Sequence, residues 1–141
     1  MRKNLTRSIA FVFVLALLCS LMTFTAAART SVQLDDYFAY LVPAGNGKIN
    51  IWFTVYGNGA LKEIGATQIE VFKANGAWAA TFSSGNAGNR DMMAYNTNSH
   101  EGSVSFWGVS GQRYYAEVTF YGKGSSGNTD TKTFTTSIVE A

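Results

Sequence analysis

Residues 113–121 alternate with a strict period of two: Tyr114, Ala116, Val118 and Phe120 interleave with Arg113, Tyr115, Glu117, Thr119 and Tyr121. Successive side chains of an extended chain point to opposite faces, so the first set lines one face of a strand and the second set the other. Ser110-Gly111-Gln112, just before the run, reads as a tight turn. Residues 48–56 repeat the pattern, with Ile49, Ile51, Phe53 and Val55 against Asn50, Trp52, Thr54 and Tyr56. Each strand has one face that must be kept from water, and no later stretch carries the sustained apolar stripe of a covering helix. The cover must be another part of the same sheet system, so the chain is expected to be all-β.

The remaining segments are short and punctuated by Gly and Asn. Residues 31–42 form a first strand region, interrupted by Asp35-Asp36 and ended by Pro43. Ala44-Gly45-Asn46-Gly47 supplies the positive φ of a hairpin turn. Gly57-Asn58-Gly59 closes the strand at 48–56. Leu61 and Ile64 then recur at a spacing of three, which fits one helical turn or a compact loop better than a strand. Residues 68–73 and 78–82 flank Ala74-Asn75-Gly76 and read as a hairpin. Residues 83–102 form a long polar loop, pinned at its middle by Met92-Met93-Ala94-Tyr95 as a short strand. A strand at 103–107, a Gly/Ser loop at 122–130 and a threonine-rich strand at 131–139 complete the chain. The expected core is Ile49, Ile51, Phe53, Val55, Ile69, Val71, Val104, Phe106, Tyr114, Ala116, Val118, Phe120 and Phe134.

The first 28 residues belong to a different kind of segment. Arg2, Lys3 and Arg7 precede a nearly unbroken apolar run from Ile9 to Met22, followed by Thr25-Ala26-Ala27-Ala28. This is the pattern of a cleaved secretory signal, with Ala26 and Ala28 at the cleavage positions and a mature start at Arg29. The rival, an uncleaved anchor, is disfavoured because the run falls short of the roughly 20 residues a span needs. Cys19 follows Leu18 rather than the small residue a lipid-modified signal requires. Without these residues, 113 remain as a single domain (29–141), with eight basic and nine acidic side chains and net charge −1. No basic stripe is left for nucleic acid or an anionic membrane. The only cysteine also departs, so the secreted domain is expected to fold without disulfides.

Seven or eight short strands separated by turns read as an antiparallel β-sandwich. Val109-Ser110-Gly111-Gln112-Arg113-Tyr114 leading into Ala116 and Val118 resembles the opening of strand F in immunoglobulin-like and fibronectin type III domains. The resemblance covers residues 31–139. It implies an immunoglobulin-like sandwich in which Tyr114 is a corner residue tying the turn to backbone. The inter-sheet cysteine pair of antibody domains is missing, and Val109 precedes Tyr114 by five residues rather than the six of fibronectin modules. The chain also resembles small secreted proteins of Gram-positive bacteria whose function is unassigned, on the strength of Ile64-Gly65-Ala66 leading into Ile69 and Val71. Neither resemblance brings catalytic residues.

The chemistry-bearing residues are sparse. The mature chain holds no cysteine, one histidine (His100, expected in a polar loop) and no serine in a nucleophile elbow. Asp35 and Asp36 are adjacent, so in a strand they point apart and cannot form a facing acid pair. Asp35, Asp36, Asp91, Glu101, Asp130 and His100 are oxygen or nitrogen donors without calcium-loop or zinc spacing. No enzyme activity, cofactor or metal is expected. The aromatic set is more informative. Trp52 and Tyr56 fall on the outward side of one strand, and Trp107 follows Ser103 and Ser105 on the outward side of another. If those strands are neighbours, the three rings form an exposed platform for a protein partner or for the sugar rings of a glycan. Alternatively they pack on Thr54 and lysine stems, or are covered by the first strand or a loop. The expected function is that of a secreted, non-catalytic interaction or structural module, or a carbohydrate-binding module using Trp52, Tyr56 and Trp107.

Overall fold

The computed structural model describes residues 33–141. The signal at 1–28 and the cleavage point before Arg29 lie outside the described residues. Seven antiparallel strands share one hydrogen-bonded sheet: β1 (Leu34–Gly45), β2 (Lys48–Lys73), β3 (Trp78–Ser83), β4 (Met93–Trp107), β5 (Arg113–Lys123), β6 (Thr129–Thr135) and β7 (Val139–Glu140). A short 3₁₀ helix, Ala87–Met92, leads into β4.

The long strand β2, 26 residues, organises the others. Residues 48–56 lie between β1 and β4, residues 63–65 between β4 and β5, and residues 68–72 between β3 and β5. β6 extends the sheet beyond β5, and β7 pairs with Arg113 and Tyr114 at the start of β5. Two irregularities bend β2. Between the pairs Tyr56↔Ser99 and Leu61↔Thr97, five steps on β2 oppose two on β4. Between Ala66↔Phe120 and Gln68↔Thr119, two steps oppose one. Extra residues on one strand of a pair raise its twist and bend it. The sheet accordingly curls into a half-barrel, which brings β1 onto β5. The ring of Tyr37 lies 5.4 Å from that of Phe120, and Phe53 meets the same ring at 6.3 Å.

The concave side of the curl holds the core. Ile49, Ile51, Phe53 and Val55 of β2, Val104 and Phe106 of β4, Ile69 and Val71, and Tyr114, Ala116, Val118 and Phe120 of β5 are all buried as the alternation requires. Phe134 is only partly buried, packed at the margin on β6. Leu34, Ala39, Leu41, Leu61, Ile64, Ala66 and Met92 join the core in addition.

Several sequence expectations are corrected. Gly57-Asn58-Gly59 does not close the strand, and residues 60–66 are not a turn of helix. Both lie within β2, where Leu61 and Ile64 are buried three apart because the bulges shift the alternation. The long loop at 83–102 is shorter, because β4 starts at Met93 and its polar residues pair with β2 through the backbone ladder. His100 thus sits in a strand opposite Val55, with its ring 5.8 Å from Phe53 and Nε2 2.7 Å from the Asp91 carbonyl oxygen. Pro43 does not end β1, which continues to Gly45. The last strand is broken at residues 136–138, where the buried Thr136 hydroxyl accepts the Ala116 N–H at 2.9 Å in place of a ladder bond.

Candidate functional site

The convex side of β1, β2 and β4 is where the exposed rings gather, and the pairing register fixes which residues share it. Across the three strands the outward rows are Asp36/Tyr56/Ser99, Phe38/Thr54/Glu101, Tyr40/Trp52/Ser103 and Val42/Asn50/Ser105, with Lys48/Trp107 at the end. The intervening rows, such as Leu41/Ile51/Val104, point into the core. Register is settled by that buried face, since a slip of one residue would exchange the two sets.

The structure places Trp52, Tyr56 and Trp107 on one face, all exposed. Their rows are four residues apart on β2, about 13 Å at a strand's rise per residue, so they form a spaced line rather than one contiguous surface. Trp107 is the most isolated. It lies under the ammonium of Lys48, 5.5 Å from the ring centroid, an exposed cation–π pair worth about 0.5–1 kcal/mol. Trp52 instead adjoins Tyr40, its direct partner on β1.

Sequence reasoning missed the β1 half of this surface. Phe38, Tyr40 and Val42 are exposed at 39%, 48% and 39%, beside Trp52 at 42% and Tyr56 at 41%. The rings of Phe38 and Tyr40 stand nearly parallel, 15° apart with centroids separated by 6.5 Å. Thr54, though on the outer face, is only 6% exposed; Phe38 is its partner on β1, and Trp52 and Tyr56 flank it on β2. These side chains therefore rest partly on one another while presenting their outer halves to solvent.

Polar groups border the rings on the β4 side. Ser105 Oγ donates to Asn50 Oδ1 at 2.9 Å, a bond that does not use the Asn50 amide hydrogens. Ser103 and Glu101 are exposed in the next two rows. By contrast, Tyr115 and Tyr121 on the outer side of β5 are half-buried, and Tyr115 stacks on Phe72 at 5.3 Å.

The other candidate ligands are dispersed. Asp130 accepts the Leu34 N–H at 3.4 Å and lies 3.7 Å from Lys132; Asp36 accepts the N–H of Tyr37 at 2.8 Å. Among the described residues, no three His, Cys, Asp or Glu side chains gather in a way that could hold a metal ion. No family model matches the chain, and the searches of curated proteins and of solved structures returned no match.

Proposed function

We propose that the protein is a secreted, non-catalytic interaction module whose working surface is the convex face of β1, β2 and β4. The observation that carries this reading is the cluster of Phe38, Tyr40, Val42, Trp52 and Tyr56, five large apolar side chains left 39–48% exposed on adjacent strands. Scattered exposed apolar residues are ordinary, but a contiguous group on one rigid face is the mark of an interaction site. Tyr and Trp are also the side chains most often found to carry binding energy. Secretion follows from the basic, apolar and small-residue pattern of residues 1–28, with the mature chain starting at Arg29.

In the same reading the half-barrel is an immunoglobulin-like sandwich whose two layers share β2. Support comes from Tyr114, whose hydroxyl accepts the N–H of Val109 at 2.9 Å in the manner of a tyrosine corner.

Washed cells of the secreting organism provide the test. The purified protein should sediment with them, the Tyr40→Ser/Trp52→Ser variant should stay in solution, and Trp78→Ser on β3 should behave as wild type. Equal sedimentation of all three, or none by wild type, would remove this face from consideration.

A further inference from the structure

We infer that the partner of the convex face is an uncharged glycan chain, lying along β1 and β2 with its sugar rings against the aromatic side chains and its hydroxyls toward β4. The inference rests on the reading of this face as the working surface and adds the chemistry of what it holds.

Size argues first. The apolar strip is two strands wide and runs from the Asp36 row to the Val42 row, about 10 Å by about 20 Å at ordinary strand spacings. A narrow strip suits a single extended chain. Within the strip, Trp52 and Tyr56 stand four residues apart on β2, along the direction such a chain would take.

Chemistry narrows the class. A pyranose ring has apolar C–H faces and a rim of hydroxyls, so it needs a flat apolar surface with neutral donors and acceptors beside it. Tyr40 and Trp52 supply the surface, and Ser103 completes their row. In the adjacent row the Asn50 amide, its oxygen occupied by Ser105, offers two N–H donors, and Ser105 Oγ keeps its lone pairs. In the row on the other side the Glu101 carboxylate can accept from neighbouring hydroxyls. Charge excludes anionic polymers: the outer rows hold Asp36 and Glu101, and their only cation, Lys48, is set over Trp107. Phosphate- or sulfate-bearing polymers find no basic cluster here.

Calorimetric titration of the secreted protein with cellohexaose, chitohexaose and xylohexaose, alongside heparin and a lysine-rich peptide, tests the inference. At least one uncharged hexasaccharide should saturate the protein below about 1 mM. Trp52→Ala should weaken that binding at least about tenfold, Trp52→Tyr should retain most of it, and Trp78→Ala should leave it unchanged. Near-ultraviolet circular dichroism of each variant establishes that the fold is intact. The inference is overturned if none of the three oligosaccharides saturates, if only heparin or the peptide binds, or if Trp52→Ala binds as wild type does. Blank titrations together with Tyr40- and Trp52-dependent sedimentation would reject the glycan while leaving the face as the working surface.

Discussion

The hydroxyl of Tyr114 accepts a hydrogen bond from the backbone N–H of Val109, 2.9 Å away and five residues earlier in the chain. The bond spans the turn between β4 and β5, and the Tyr114 ring packs edge-on against Phe106 with centroids 5.0 Å apart. One buried side chain thereby fixes how the last residues of β4 enter β5. Tyr114→Phe keeps the ring and removes only the acceptor, leaving a part-buried N–H unpaired. The expected cost is about 1–2 kcal/mol, or a melting temperature lower by roughly 5–10 °C for a domain of this size. Urea denaturation should show a lower midpoint with unchanged slope. No loss would mean that the turn holds without its tie.

Gly65 occupies the point where β2 passes from β4 to β5. A Cβ there would collide with the Met92 carbonyl oxygen and lie 2.8 Å from the Met93 Cα. Both are backbone atoms that cannot swing aside, and Met92 is buried. Gly65→Ala should destabilise by about 2–4 kcal/mol, in the range of overpacked cores. Gly88→Ala, which meets open space in the exposed 3₁₀ segment, should stay within about 0.5 kcal/mol of wild type. Similar midpoints for the two variants would show that the close approach at 65 is not maintained in solution.

The bend at Gly65 also explains which parts of the fold could be read from sequence. Alternation was legible wherever β2 and β5 run regularly, at 48–56 and 114–120, because every second side chain is buried there. It failed at 57–66, where three extra residues on β2 and then one more shift the period, so that Leu61, Ile64 and Ala66 are all buried. The outward aromatics divide in the same way. Trp52 was assignable because its strand has one apolar face and one mixed face. On β1, Tyr37, Ala39 and Leu41 are as apolar as Phe38, Tyr40 and Val42, so the pattern has no phase. Only the register, Leu41 opposite Ile51 and Tyr40 opposite Trp52, tells inside from outside. The middle of β4, residues 96–102, was hidden for a related reason: its polar residues pair through backbone, which leaves no mark in hydropathy.

Thr136 fills the gap between β6 and β7 with a side chain. Its Oγ1 accepts the Ala116 N–H at 2.9 Å and donates to the Ser137 carbonyl at 3.1 Å, while its own N–H bonds to the Ala116 carbonyl. Thr136→Val has nearly the same shape but leaves the buried Ala116 N–H without an acceptor, at a cost of about 1–3 kcal/mol. Hydrogen exchange should accelerate selectively at Ala116. Uniform exchange throughout β5 would indicate that another group replaces the hydroxyl.

Lys123 and Glu63 face each other across β2 and β5 with Nζ 2.8 Å from Oε1. The hydrogen bond to Glu63 and its negative charge raise the Lys123 ammonium above its ordinary 10.5. A raised folded-state value means that the pair's contribution is present in full below the unfolded value, hence throughout the neutral range. It is lost as pH climbs through the folded-state value. Glu63→Gln should therefore be slightly less stable than wild type at neutral pH, with the gap closing in strongly alkaline solution. Both side chains are about one-third exposed, so added salt should also narrow the gap. A difference that persists unchanged at alkaline pH would assign the effect to packing instead.

All three tryptophans lie on the surface, Trp52 at 42% exposure, Trp78 at 62% and Trp107 at 66%. The native protein should therefore emit close to the wavelength of free tryptophan and be quenched efficiently by acrylamide. Unfolding in urea should move the emission band little even as the far-ultraviolet dichroism of the sheet disappears. This separates two descriptions of the convex face. If a second copy of the chain covered it, Trp52 would be shielded, and dilution would red-shift the emission. If the face stands open, the spectrum is independent of concentration. Trp78→Phe combined with Trp107→Phe leaves Trp52 as the sole reporter and applies the test to the one ring that sits among Tyr40, Phe38 and Asn50. A blue-shifted, poorly quenched emission from that variant at low concentration would mean that the fold itself covers Trp52, and the face would lose its claim to be a binding surface.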